Sequence, residues 1–145
     1  MKIERVDLMI VRLELVRSFE TSSSQRRYLE HILVKAYADG LVGWGECASP
    51  IDPYYCEETT ETCWHMLKDF LVPATLGRAW ASIEEFMAPL RKVKRNNFAK
   101  AGIEMAAFDL LAQAEGRPLH ALLGGTRDEI LSGVSLGIEQ DTDRL

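Results

Sequence analysis

The chain has 145 residues, room for one domain or for one domain and the start of another. Apolar residues make up 47% of it, enough for a packed core, and this excludes a disordered chain. The formal charge is −5, from 17 basic and 22 acidic residues, and the one basic cluster (Arg91, Lys92, Lys94, Arg95) reads as a helix end leading into a loop, so no nucleic-acid partner is expected.

The N-terminal residues Met1–Arg5 run straight into an alternating pattern, without the unbroken apolar segment of a secretory leader. No stretch approaches the ~18–20 apolar residues of a membrane span. Ile3 to about Val16 is rich in Val, Ile and Leu and predicts a first strand. Arg17 to Arg27 changes character, with Thr21, Ser22, Ser23, Ser24 and Gln25 predicting a polar loop in which Phe19 is the one large apolar residue. A second strand is predicted from Tyr28 to Ala38, with Ile32, Val34 and Ala36 facing one way. Asp39-Gly40 signals a two-residue hairpin, because a type I′ turn needs positive φ at both positions and glycine adopts it cheaply. The returning strand is Leu41 to about Cys47, which completes an antiparallel meander.

Beyond the irregular stretch around Pro50 and Pro53 the period becomes helical. Cys63, Met66, Leu67, Phe70 and Leu71 predict a helix that stops before Pro73. Ser82 with Glu85 three residues on is a capping box opening a second helix, whose apolar face is Ile83, Phe86, Met87 and Leu90. A longer helix is predicted from Phe98 to Glu115, with Ile103, Ala106, Ala107, Leu110, Leu111 and Ala114 on one side. Gly116 ends it and Pro118 prevents its resumption. Leu119 to Leu123 predicts one further turn before Gly124-Gly125. Strands followed by helices make an α+β arrangement, with helices on one face of a small antiparallel sheet. Ile130 to Ile138 then reads as a buried strand outside that layer, followed by polar residues, Gln140 to Arg144, with the look of a strand-to-helix connection. The expected division is a domain over residues 1–125 and the start of a second over 126–145.

Motifs for chemistry are scarce. There is no G-x-G-x-x-G, P-loop or G-x-S-x-G. Gly40, Gly43 and Gly45 are expected to serve a close-packed turn. Cys47, Cys56 and Cys63 are odd in number and lack a C-x-x-C pair, which predicts free thiols in a reducing cytoplasm. Cys63 and His65 are two residues apart, a poor helical ligand pair, so no metal site is expected with Cys56. His31, His65 and His120 have no partners at triad spacing and read as structural. Glu46 is expected to anchor the following loop by accepting backbone N–H groups, and Glu104 and Asp109 to bind backbone or arginine.

GWGEC (Gly43–Cys47), KAGIEMAAFDLLAQAEGRPL (Lys100–Leu119), LLGG (Leu122–Gly125) and GVSLGI (Gly133–Ile138), with FETS (Phe19–Ser22) and the Tyr54-Tyr55 loop, occur in one order along essentially the whole chain. This ordered set resembles the N-terminal part of enolase-superfamily enzymes, and within them the o-succinylbenzoate synthase and N-acylamino acid racemase group. The resemblance implies a capping domain followed by a (β/α) barrel whose lysines act as acid and base and whose three carboxylates hold Mg²⁺, which stabilises the enediolate formed on removing a proton α to a carboxylate. None of those barrel groups matches a position here, so this chain by itself is expected to bind no metal and to be inactive. Two capping loops are implied to cover a small carboxylate substrate: the Ser/Thr-rich stretch with Phe19, and Ala48 to Cys56 with Pro50, Ile51 and Tyr55. Pro50 and Ile51 stand where the group often has larger flexible apolar residues. Ser135 matches a position near the substrate carboxylate at the end of the first barrel strand. The implied partners are the chain's own barrel and, in the intact enzyme, further copies of itself. A dipeptide epimerase, a muconate-lactonising enzyme and a stand-alone binding domain are the alternatives.

Overall fold

The structure is a computed structural model and describes residues 1–20, 25–135 and 143. Three strands form an antiparallel sheet in the order β1 (Arg5–Glu20), β2 (Gln25–Ala38) and β3 (Leu41–Cys47). Asp39 and Gly40 turn the second hairpin with φ of 51° and 76°, the conformation expected of that dipeptide. The first hairpin is longer than the sequence predicts. Both strands run through most of the stretch expected to be a loop, and Phe19 pairs with Arg26 and Glu20 with Gln25. Between Glu14↔Tyr28 and Phe19↔Arg26 the register shifts, because residues 15–18 of β1 face only residue 27 of β2. Such a bulge lets polar residues continue the ladder without keeping strict alternation. The polar stretch Thr21–Ser24 lies outside the described residues.

The helices cover one face of this sheet. Helix α1 (Thr60–Met66) is opened by a reciprocal cap between Thr59 and Thr62, passes into a π turn over Leu67–Leu71, and ends as α2 (Val72–Thr75). The helix therefore does not stop before Pro73. Proline lacks an N–H and crowds the carbonyl four residues back; the wider π turn, in which Val72 N–H donates to the Leu67 carbonyl, accommodates it. The same turn explains a buried stripe of Cys63, Leu67, Leu71 and Thr75 at a constant spacing of four, and why Phe70 is exposed. Helix α3 (Ile83–Met87) begins at Ser82, whose hydroxyl accepts from Glu85 N–H, and tightens into a 3₁₀ turn over Ala88–Lys92. Helix α4 (Asn97–Glu115) is the longest and ends at Gly116 with φ of 62°. Its buried face is Ala99, Gly102, Ile103, Ala106, Ala107, Leu110 and Ala112, while Ala114, expected on that face, is exposed. Helix α5 (Leu119–Leu122) is the further turn before the double glycine.

The core lies between α4 and the sheet, with Ile32, Val34, Ala36 and Cys47 on one side and Ile103, Ala106, Ala107 and Leu110 on the other. Gly43 and Gly45 sit in β3 rather than in a turn. A methyl group on Gly43 would overlap the Ala106 carbonyl, and one on Gly45 the Gly102 carbonyl, so these glycines let helix and strand backbones touch. Side chains of α4 also bind the edge of β3: Asp109 Oδ2 accepts from Trp44 N–H at 2.8 Å, as expected of a backbone-binding carboxylate, and Gln113 Nε2 donates to the Val42 carbonyl at 2.7 Å. Residues 130–135 form no strand and are exposed, with Ile130 at 78% and Leu131 at 104%. A strand needs a paired neighbour, and no described residue supplies one there. Leu136–Ile138, and all of Gln140–Arg144 except Asp143, lie outside the described residues.

Candidate functional site

The far end of the first hairpin and the loop after β3 enclose a cleft of about 530 Å³. Phe19, Arg26, Leu29 and His31 come to it from β1 and β2, residues of 48–55 from the loop, and Phe98 from the first turn of α4. Three of the five residues singled out in the sequence, Phe19, Pro50 and Tyr55, line this one cleft. Ile51 is half-buried beside it and is not part of its wall. Ser135 is exposed on the segment after the helices and is not brought to the cleft. A second hollow of about 620 Å³, around His120 and residues 124–130, is walled mainly by that exposed segment.

The cleft has a rigid floor and an open roof. The Pro50 carbonyl accepts from Thr60 N–H at 2.9 Å, tying the loop to the start of α1. The buried Thr60 hydroxyl lies 3.2 Å from the Glu30 carbonyl of β2. Beneath the loop, the Cys63 thiol donates to Glu58 Oε2 at 3.4 Å, and Cys47 contacts Ser49 at 3.8 Å. The neighbouring Cys47, together with burial, pushes the Cys63 thiol above its ordinary range. Above this floor the aromatic rings are uncovered: Tyr55 is 80% exposed and Phe19 43%. Large rings left open around a concavity are a surface that a further body or ligand would cover.

Two side-chain pairs stand at or beside the cleft. Arg26 Nη2 lies 3.5 Å from Asp52 Oδ1, across the gap between hairpin and loop. His31 Nδ1 and Glu46 Oε1 are 2.5 Å apart. Glu46 thus binds a histidine side chain rather than anchoring backbone. The anchoring carboxylate is instead Glu58, which accepts from the N–H groups of Asn97, Phe98 and Ala99 at 2.7, 3.0 and 3.3 Å. His31 and His65 both have carboxylate partners, His65 with Asp69 at 2.8 Å. The cleft's Arg26, Asp52 and Phe98 escape a motif search. Reading the second strand from Gln25 instead of Tyr28 is the signal that would have set Arg26 opposite Phe19. Among the described residues no three His, Cys, Asp or Glu side chains converge on a point, so they do not fit a Mg²⁺ site. No helix among them is long and apolar enough to cross a membrane.

The pattern of the mandelate racemase / muconate lactonizing enzyme N-terminal domain matches residues 5–124. The chain belongs to this family. Its closely similar relatives include the o-succinylbenzoate synthase of Geobacillus kaustophilus, 42% identical over 99% of this chain, and the N-succinylamino acid racemase of Thermus thermophilus, 38% identical over 99%. The chain spans 38% and 39% of those two proteins, well under half their length. A solved enolase-superfamily protein from Listeria innocua superposes with a TM-score of 0.92 at 28% identity, covering 99% of this chain and 39% of that one. Chloromuconate cycloisomerases are similar at lower identity. The three-stranded meander followed by helices is thus the enolase-superfamily capping fold, of the o-succinylbenzoate synthase and N-acylamino acid racemase kind.

Proposed function

We propose that this chain is the substrate-covering domain of an enzyme that removes the proton α to a carboxylate, acting as an o-succinylbenzoate synthase with or without N-acylamino acid racemase activity. The observation that carries this reading is the meeting of Phe19 and Tyr55, from two separate segments, over one cleft at one end of the sheet. In this reading residues 1–125 are the cap, residues 126–145 begin a barrel, and the remainder of the barrel supplies the acid, the base and Mg²⁺. The metal's part is Lewis-acid stabilisation of the charge that develops on the substrate carboxylate. The cap's own part is physical. Phe19, Pro50, Ile51 and Tyr55 close over the portion of the substrate distant from the reacting carbon, exclude water and raise the strength of every charge interaction within. Ser135, at the entry to the barrel, sits near the substrate carboxylate.

The 42% and 38% identity to the Geobacillus kaustophilus synthase and the Thermus thermophilus racemase, against 33% to a chloromuconate cycloisomerase, supports this choice of substrate class. The full-length protein that carries this chain, incubated in ²H₂O with an N-succinylamino acid and Mg²⁺, is expected to exchange the α-proton and to stop when the metal is chelated. Absence of exchange with this substrate and with the o-succinylbenzoate precursor would overturn the proposal.

A further inference from the structure

Among the described residues Arg26 is the one arginine or lysine in the wall of the cleft, and its side chain is only 24% exposed. Its surroundings are poor in polar partners: Phe19, Leu29, Pro50, Tyr54, Tyr55 and Phe98 supply the apolar wall. The one carboxylate near it, Asp52, stands 3.5 Å away, and Asp52 Oδ1 is buried without a hydrogen bond. A guanidinium has five N–H donors in a planar fork, and a carboxylate that saturates it sits at about 2.7–2.9 Å in two parallel bonds. Neither condition is met between Arg26 and Asp52. The pair is close enough to hold the side chain over the cleft and too loose to occupy its donors.

Such an arrangement is costly unless a further anion completes it, because a guanidinium only 24% exposed loses hydration that one contact at 3.5 Å does not fully repay. We infer that Arg26 is a specificity-determining residue that receives an anionic group, a carboxylate, at the end of the substrate remote from the reacting carbon. Asp52 is its counter-charge: it positions the guanidinium and, by repelling a second anion, sets how strongly that group is bound. This assignment rests on the proposed capping role and adds to it the residue that reads the substrate's distal end. A dicarboxylic acyl group, such as succinyl, satisfies it, whereas an acetyl group, which lacks the second carboxylate, leaves Arg26 uncompensated.

The experiment uses the full-length protein and a matched pair of substrates, one amino acid carrying either an N-succinyl or an N-acetyl group, with α-proton exchange as the readout. The quantity read is the ratio of kcat/KM for the succinyl substrate to that for the acetyl substrate. Arg26→Met is expected to lower the ratio on the order of 10- to 100-fold, as loss of a charged hydrogen-bonded partner does, with the change falling in KM. Arg26→Lys is expected to recover part of it, since the charge returns without the fork. Asp52→Asn is expected to move the ratio the other way, by removing the competing negative charge. A merely structural pair would not do this: both substrates would fall together and Asp52→Asn would resemble Arg26→Met. Equal losses on both substrates, or a ratio unmoved by all three variants, overturn the assignment to Arg26 while leaving the capping role intact. A wild-type protein that exchanges neither substrate overturns both.

Discussion

Gly45 and Gly102 face each other across the layer between β3 and α4, and a side chain on Gly45 would run into the Gly102 carbonyl. On the other side, a side chain on Gly102 would come within 3.0 Å of Cys47 Cβ. Over Gly43 and Gly45 the helix is therefore seated on the backbone of β3, and Phe98, at the helix start, reaches the cleft. Gly45→Ala forces two backbones apart. The expected cost is about 1–3 kcal/mol, as for overpacking in a filled core, read as a lower urea midpoint with unchanged m value. An alanine variant of unaltered midpoint would mean that the helix can slide away freely, and the seating argument would fail.

Glu58 replaces the cap that α4 lacks. Asn96, in the capping position, has φ of 55° and ψ of 48° and makes no side-chain capping bond, so the first N–H groups of the helix look to Glu58. Its carboxylate is buried, 6% exposed, and negative charge at a helix N-terminus is also favoured by the dipole. Glu58→Ala leaves three helix N–H donors and the Cys63 thiol unpaired and is expected to destabilise by about 2–4 kcal/mol. Glu58→Gln keeps one acceptor oxygen and is expected to fall between. Thermal unfolding of the three proteins tests the order. Equal midpoints for wild type and the alanine variant would show that water serves the helix end as well.

What could be read in advance, and what could not, follows from the range of the interactions. The meander was legible because alternation and Asp39-Gly40 are local signals. Helix α4 was legible from its apolar period and from Gly116 with Pro118 beyond it. The π turn was hidden because a spacing of four across Cys63, Leu67, Leu71 and Thr75 looks like a helix that stops at Pro73 until the wider turn is allowed. Phe19 and Tyr55 are singled out through family resemblance, not through any pattern in their surroundings. Glu58 and the helix end it serves lie 39 to 41 residues apart, and Arg26 meets Asp52 across the cleft. Single carboxylates and arginines at such separations carry no local signal, so only the fold could pair them.

In the full-length protein, truncating Phe19 or Tyr55 over the cleft is expected to weaken substrate binding. If the bound substrate covers about 60–80 Å² of ring face, at about 25 cal/mol/Å² the loss is roughly 1.5–2 kcal/mol, or a 10- to 30-fold rise in KM. Tyr55 is 80% exposed, so Tyr55→Ala is expected to leave the melting temperature within a degree or two, as surface substitutions do. Steady-state kinetics beside a melting curve decides it. A lowered melting temperature with unchanged KM would make Tyr55 a staple for its loop instead of a substrate contact.

The exposed segment after the double glycine gives the last prediction. Ile130, Leu131 and Val134 are 78%, 104% and 83% exposed, so the 145-residue chain by itself carries three uncovered aliphatic side chains in a row of six residues. Burying each fully is worth about 1.5–3 kcal/mol, against an association cost of about 4–15 kcal/mol. The balance predicts weak, concentration-dependent self-association of the isolated chain, with binding of an apolar dye. Shortening it to residues 1–125 should abolish both while leaving the far-ultraviolet circular dichroism of the cap in place, since the core between α4 and the sheet ends before Gly116. Sedimentation at several concentrations separates the possibilities. The competing source of association is the edge of the sheet, where Leu13 is 51% and Val16 102% exposed on β1. Were the shortened chain to associate as strongly as the longer one, β1 and not the tail would be the adhesive surface, and a Val16→Lys change would then be the substitution that restores a monomer.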